Sequence, residues 1–249
     1  MQFVVPDSAG LPARLDSVLD VLYLLFNEGY SASQGESLVR CDLCDEAMRL
    51  TALLAEHPVG DVPDVHALLA LLLLQASRLP ARTDSVGDVL LLADQNRTLW
   101  DRRLIVAGLR ELTRASTGVT ISAYHLQAGI AACHAVAPDY MSTNWDQILA
   151  GYDDLLRLTP TPVVALNRAV ALAMVHGAEA GIAELERIRA LPGMESYYLL
   201  HCTAGEFYRR TGDLHRALTC YELAQTFTFT DPERRFLANK VHELRAAIS

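Results

Sequence analysis

The sequence predicts an all-α protein of about eleven helices in antiparallel pairs, ending in a tetratricopeptide-like solenoid. Three observations carry this prediction. Apolar residues recur at spacings of three and four through most of the chain. Capping residues, Gly and Pro interrupt these runs at short intervals. Small and aromatic residues near the C-terminus fall at the offsets of a helical repeat. The composition agrees: 51% of the 249 residues are apolar, so the chain is neither disordered nor fibrous. Lys plus Arg total 21 against 30 Asp plus Glu, and a net charge of -9 makes a poor match for a phosphate backbone.

The elements follow in order. Residues 11–26 carry Leu15, Val18, Leu19, Leu22, Leu25 and Phe26 on one face, and Gly29 suits a left-handed cap after them. A second helix is predicted over 36–56, stopped by His57-Pro58, and a third over 63–78, stopped by Pro80. The period then lapses. Ser85-Val86-Gly87-Asp88 reads as a turn and Val89 to Leu92 as an extended run, so a small hairpin is predicted near 81–92. Helices return over 97–116, 121–137 and 145–158, with Thr143 as the cap of the last. Five more are predicted over 163–175, 178–190, 195–211, 214–227 and 232–247, with Asp231-Pro232 as a start signal.

Gly205, Tyr208, Gly212, Ala217, Tyr221 and Ala224 carry the repeat signal, and Ala169, Leu172 and Gly177 form a weaker earlier copy. Such pairs need neighbours to bury their apolar faces. The punctuation at Thr159-Pro160-Thr161-Pro162 divides the expected organisation into a linker at 1–10, an N-terminal helical subdomain at 11–160 and a tetratricopeptide-like one at 161–249, packed as one unit.

Several function classes lack their residues. The five cysteines are an odd count in a chain with a large core, which fits reduced thiols and a cytoplasmic protein. Cys41-Asp42-Leu43-Cys44 has the two-residue spacing of a zinc half-site, but no second half-site completes it, so no metal and no cofactor are expected. The apolar run from Ala67 to Leu74 is too short to span a bilayer, and no basic-then-apolar leader is legible at Met1 to Asp7. No phosphate loop, nucleophile elbow or H-E-x-x-H motif is present, and no enzymatic activity is expected.

Five motifs in order do carry information: Phe26-Asn27-Glu28-Gly29-Tyr30, Asp94-Gln95-Asn96-Arg97-Thr98-Leu99-Trp100-Asp101, Tyr124-His125-Leu126-Gln127-Ala128, Thr143-Asn144-Trp145, and Thr161-Pro162 through Asn167-Arg168 to Ala171. Together they resemble the C-terminal helical extension of one group of bacterial extracytoplasmic-function RNA polymerase sigma factors, over nearly the whole chain. The chain departs from that group's pattern at Asn96 and Asn144, where Asp is usual, so two carboxylates are missing. The resemblance implies transcription initiation by a longer parent protein whose sigma domains lie outside this chain. The implied partners are RNA polymerase and those sigma domains, with a small regulatory protein or ligand as further possibilities, and no direct contact to nucleic acid or membrane. A free-standing helical-repeat scaffold and a small-molecule sensor are the alternatives.

Each candidate residue has a structural and a functional reading. Asn27, Glu28 and Tyr30 either finish a helix or line a groove. Asp94 is expected to cap the next helix, with Gln95 beside it. Arg97 and Asp101 are expected to pair at a four-residue spacing, with Trp100 alongside as core residue or contact anchor. Tyr124, Gln127 and His134 form either a polar seam between helices or part of a pocket. Trp145 would close such a pocket, Arg168 reaches an acidic partner, and Asn167 is expected to tie adjacent helices. The arginine doublets Arg102-Arg103, Arg209-Arg210 and Arg234-Arg235 are either solvated or contact acidic surfaces.

Overall fold

A computed structural model describes residues 10–31, 39–85, 87–228 and 230–248. Most of the expected linker, the first three residues of the expected second helix, and Val86 lie outside the described residues. The fold is all-α. Among the described residues, eleven α-helices run as α1 (Leu15–Tyr30), α2 (Cys41–Glu56), α3 (Pro63–Ala76), α4 (Arg102–Ala115), α5 (Ala123–Val136), α6 (Trp145–Leu158), α7 (Pro162–His176), α8 (Ala178–Arg189), α9 (Tyr198–Thr211), α10 (Leu214–Gln225) and α11 (Asp231–Ile248). They belong to two compact units, one built on α1–α5 and the other on residues 82–95 with α6–α11. The Thr159–Pro162 punctuation therefore falls inside the second unit, between α6 and α7.

The first unit is organised around α3. Pro63 opens this helix at its first position, after an extended Val62. Every residue from Val65 to Leu72 is buried, so no face of α3 is left for water. α1, α2, α4 and α5 all pack against it. Phe26, Leu19 and Leu22 of α1 join Ala47 and Ala55 of α2 and Leu68, Leu69 and Leu72 of α3 in one core. Gly29 serves a purpose different from the expected cap. It lies inside α1, and a Cβ there would sit 2.8 Å from the Cys44 amide nitrogen and 2.9 Å from the Arg40 carbonyl oxygen. The residue is small because α2 begins against it, and the helix ends one residue later at Tyr30, before an extended Ser31.

Two other local expectations change for capping reasons. The helix expected over 97–116 is broken in two, because a cap residue must leave helical geometry. Asn96 accepts from the Thr98 amide (3.0 Å) and starts a 3-10 turn over Arg97–Leu99. Asp101 accepts from the amides of Arg103 (2.8 Å) and Leu104 (3.2 Å) and starts α4. Asn144, not Thr143, caps α6 by accepting from the Gln147 amide at 3.1 Å. Asn and Asp cap about equally well, so the two positions that depart from the resembled pattern keep this function without a charge. Among the described residues, the hairpin expected near 81–92 shrinks to one antiparallel bridge between Thr83 and Val89.

In the second unit each helix from α6 to α11 packs against the next. The repeat offsets coincide with the α9–α10 pair. Ala217, Tyr221 and Ala224 are buried on α10, and a Cβ on Gly205 of α9 would lie 2.9 Å from the Tyr221 ring. Gly212 (φ 85°) closes α9, and Asp213 caps α10 by accepting from the Arg216 amide at 3.0 Å. Asn167, expected to tie helices, is exposed on α7.

Gly205→Ala is expected to destabilise the protein by about 1–3 kcal/mol, because the rigid buried ring cannot yield to a methyl group. Gly129→Ala is the control, since nothing lies within 4 Å of its added methyl on α5. That change is expected to be neutral or to stabilise by about 0.5–1 kcal/mol, and urea unfolding of both variants checks the contrast.

Candidate functional site

The candidate residues of the first unit fall into two groups. One is built around Trp100, which is 3% exposed. The Arg97 guanidinium carbon lies 4.6 Å from the centre of its ring and that of Arg78 lies 5.9 Å from it. Arg97, itself buried, also donates to the backbone carbonyl of His134 at 2.6 Å. Arg78 extends the cluster to α1, donating to the Tyr30 hydroxyl and lying 5.9 Å from the centre of that ring. Tyr30 stacks in turn on Phe26 at 5.7 Å. The Trp100 indole N–H meets no acceptor among the described residues, and the ring is held by its faces. Burial, then the charges of Arg78 and Arg97, push the His134 imidazole down to about 3.

This cluster joins α1, the end of α3, the 3-10 turn and α5. It ties helices together inside the unit and does not present Arg97 and Trp100 as an exposed recognition surface. The helical spacing expected to pair Arg97 with Asp101 is not formed, since Trp100 and Asp101 are both extended. Asp101 caps α4 and donates its amide to the Ser77 carbonyl at 2.8 Å. Asn27 and Glu28 lie half-buried in the last turn of α1.

The second group is a seam between α1 and α5. Gln127 accepts from the Tyr23 hydroxyl at 2.8 Å, and Tyr124 donates to Asp20 at 2.9 Å. The two tyrosines meet edge to face at 5.6 Å. Burial and the neighbouring Asp20 raise the Tyr124 hydroxyl far above the usual phenol range.

The remaining candidates belong to the second unit. Asp94 is exposed in a turn and caps no helix; Asn96 and Asp101 hold the cap positions nearby. Gln95 donates to the Leu90 carbonyl at 3.2 Å. Trp145 meets Tyr140 edge to face at 5.4 Å. Arg168 reaches acidic partners on both sides of α7, Asp153 of α6 at 2.6 Å and Glu184 of α8 at 3.4 Å.

A further polar site uses residues absent from the candidate set. His66 is 3% exposed in the first turn of the otherwise apolar α3. Its Nδ1 lies 2.7 Å from Glu111 of α4, itself buried, and its Nε2 lies 2.9 Å from Asp61. Arg114 spans both carboxylates, 3.0 Å from Asp61 and 3.4 Å from Glu111. The His66 hydrogen bond, then the Arg114 charge, hold Asp61 below the usual carboxylate range. A cavity of about 280 Å³ adjoins the group, lined by Asp61, Val62, Pro63, His66, Arg114 and Thr117. The available signal was a lone histidine in an apolar run, which needs a partner from another helix. The five cysteines are free, and no cluster able to hold a metal occurs among the described residues. No helix among them is long and apolar enough to cross a membrane.

Comparison with known proteins adds a relationship without an activity. Residues 14–116 match the model of a family of unknown function, DUF6596. An uncharacterized protein of Rhizobium meliloti (strain 1021) is 38% identical over 244 residues, which is 98% of this chain and 57% of that protein. The chain thus spans a little over half the length of this relative. No solved structure matches the chain.

His66→Ala is expected to cost about 3 kcal/mol, because it removes the closest partner of the buried Glu111 carboxylate and leaves it the longer 3.4 Å contact to Arg114. The double change His66→Leu with Glu111→Leu is expected to cost less than the single one, as measured by urea unfolding. A second expectation concerns acid. Folded His134 stays neutral down to about 3, whereas the unfolded side chain takes a proton near 6.5. The unfolded state therefore binds more protons in that window, and stability falls as pH drops through it. In thermal melts across this range, His134→Gln is expected to lessen the fall.

Proposed function

We propose that this chain is the C-terminal regulatory or interaction domain of a bacterial extracytoplasmic-function RNA polymerase sigma factor. The full-length protein would act in the cytoplasm in transcription initiation, and this part of it by contact, without catalysis and without binding DNA itself. The observation that carries the reading is the series of five motifs in order, which leads into the tetratricopeptide-like offsets realised by α9 and α10. Much of the motif series supplies caps and interhelical ties: Asn96, Asp101 and Asn144 start helical elements, and Tyr30, Arg97, Trp100 and Arg168 join them. On this reading the motifs preserve the shape of the domain, and partner contacts fall on exposed helix faces. The partners are RNA polymerase and the parent's sigma domains, with a small regulatory protein or ligand as a further input. The matched part is 57% of the Rhizobium relative, which leaves room in that protein for other domains.

Deleting the domain from the full-length factor is expected to change output from its own promoter by roughly 5-fold or more, the scale of an ordinary coupling between sites. A reporter assay checks this, and unchanged output at equal protein level would sink the proposal. An upstream reading frame without sigma domains would favour the free-standing scaffold.

A further inference from the structure

The three arginine doublets have different surroundings. Arg209 makes two bonds to Glu206, both 2.8 Å, and Arg210 lies against the Met174 sulfur at 3.2 Å. Arg234 bonds to Asp231 at 2.7 Å, and Arg235 pairs with Asp88. These four guanidiniums are engaged by their own chain. Among the described residues, the Arg102 and Arg103 side chains meet no carboxylate.

Those two residues lie on the outer face of α4. With Val106, Ala107 and Arg110 they line a depression of about 470 Å³. The spacing places all five along one side of the helix, while Ile105, Gly108, Glu111 and Ala115 are buried. Val106 is 68% exposed in the middle of the three arginines. Arg110 is also open to solvent, with its nearest carboxylate, Glu111, at 3.8 Å. A cationic rim around an exposed apolar centre is thus left uncovered on a chain whose net charge is -9.

We infer that this face of α4 docks an acidic amphipathic segment of a partner protein, with its carboxylates on Arg102, Arg103 and Arg110 and an apolar side chain on Val106. Opposite charges would meet around a small desolvated centre, the usual arrangement of a specific protein contact. A nucleic acid is a poorer fit, since a phosphate backbone gains nothing from Val106 and the acidic remainder of the chain repels it. A bilayer surface is poorer too, because one valine buries too little apolar area to anchor a helix. The inference rests on the surroundings of these arginines and holds whether or not the parent is a sigma factor.

The test uses the 249-residue chain and a fluorescein-labelled helical peptide of Glu and Leu, about four turns long with its leucines on one side. Anisotropy is expected to show binding that weakens with salt. Arg102→Glu with Arg103→Glu is expected to weaken it roughly tenfold or more. Val106→Ser is expected to weaken it separately. All three positions are exposed, so circular dichroism and melting temperature should stay unchanged. Three results would overturn the inference: no binding by the parent chain, binding insensitive to both changes, or tighter binding of a DNA duplex or phosphatidylserine vesicles through the same arginines.

Discussion

The first unit depends on one constraint: α3 has no polar face. A helix buried on every side must be enclosed by other helices before it is stable. Here α1, α2, α4 and α5 perform that enclosure. The constraint explains where small residues fall, as at Gly29, where α2 begins against α1. It also explains the polar network. A histidine on such a helix cannot reach bulk water, so Glu111, Asp61 and Arg114 supply its partners. An unpartnered polar group there would cost more than a hydrogen bond returns. Just past the end of this helix lies Arg78, whose guanidinium links Tyr30 to Trp100.

The second unit solves the burial problem by stacking. Each helix covers its predecessor, and close approach is secured by residues without side chains where an aromatic ring fills the space, as Tyr221 does beside Gly205. Charge acts here as a tie between neighbours. Arg168 joins α6, α7 and α8 through Asp153 and Glu184 and remains only partly exposed. Such a bridge fixes the register of adjacent helices, whereas a solvated pair would contribute little.

The conspicuous polar motifs and the available surface are therefore different sets of residues. Arg97, Trp100 and His134 attract attention by their chemistry, yet their groups are spent on one another inside the first unit. Arg102 and Arg103, an ordinary charged doublet in the sequence, meet no carboxylate among the described residues, and Arg110 beside them has Glu111 at 3.8 Å.

The sequence by itself determined the helical class, the place of nearly every helix and the α9–α10 repeat pair, because spacing, caps and turn glycines act within a few residues of one another. It also contained the signals for the break at Trp100-Asp101, since Asn96 and Asp101 are both capping residues. Their precedence over the continuing apolar period showed only in the backbone. The tertiary structure alone decided that Gly29 is a contact and not a cap, that Arg97 bonds to His134, and that His66 meets Glu111 forty-five positions away. The physical reason is common to all three. A polar or small residue announces that it needs a particular neighbour, but the neighbour comes from another helix, and only packing brings the two together.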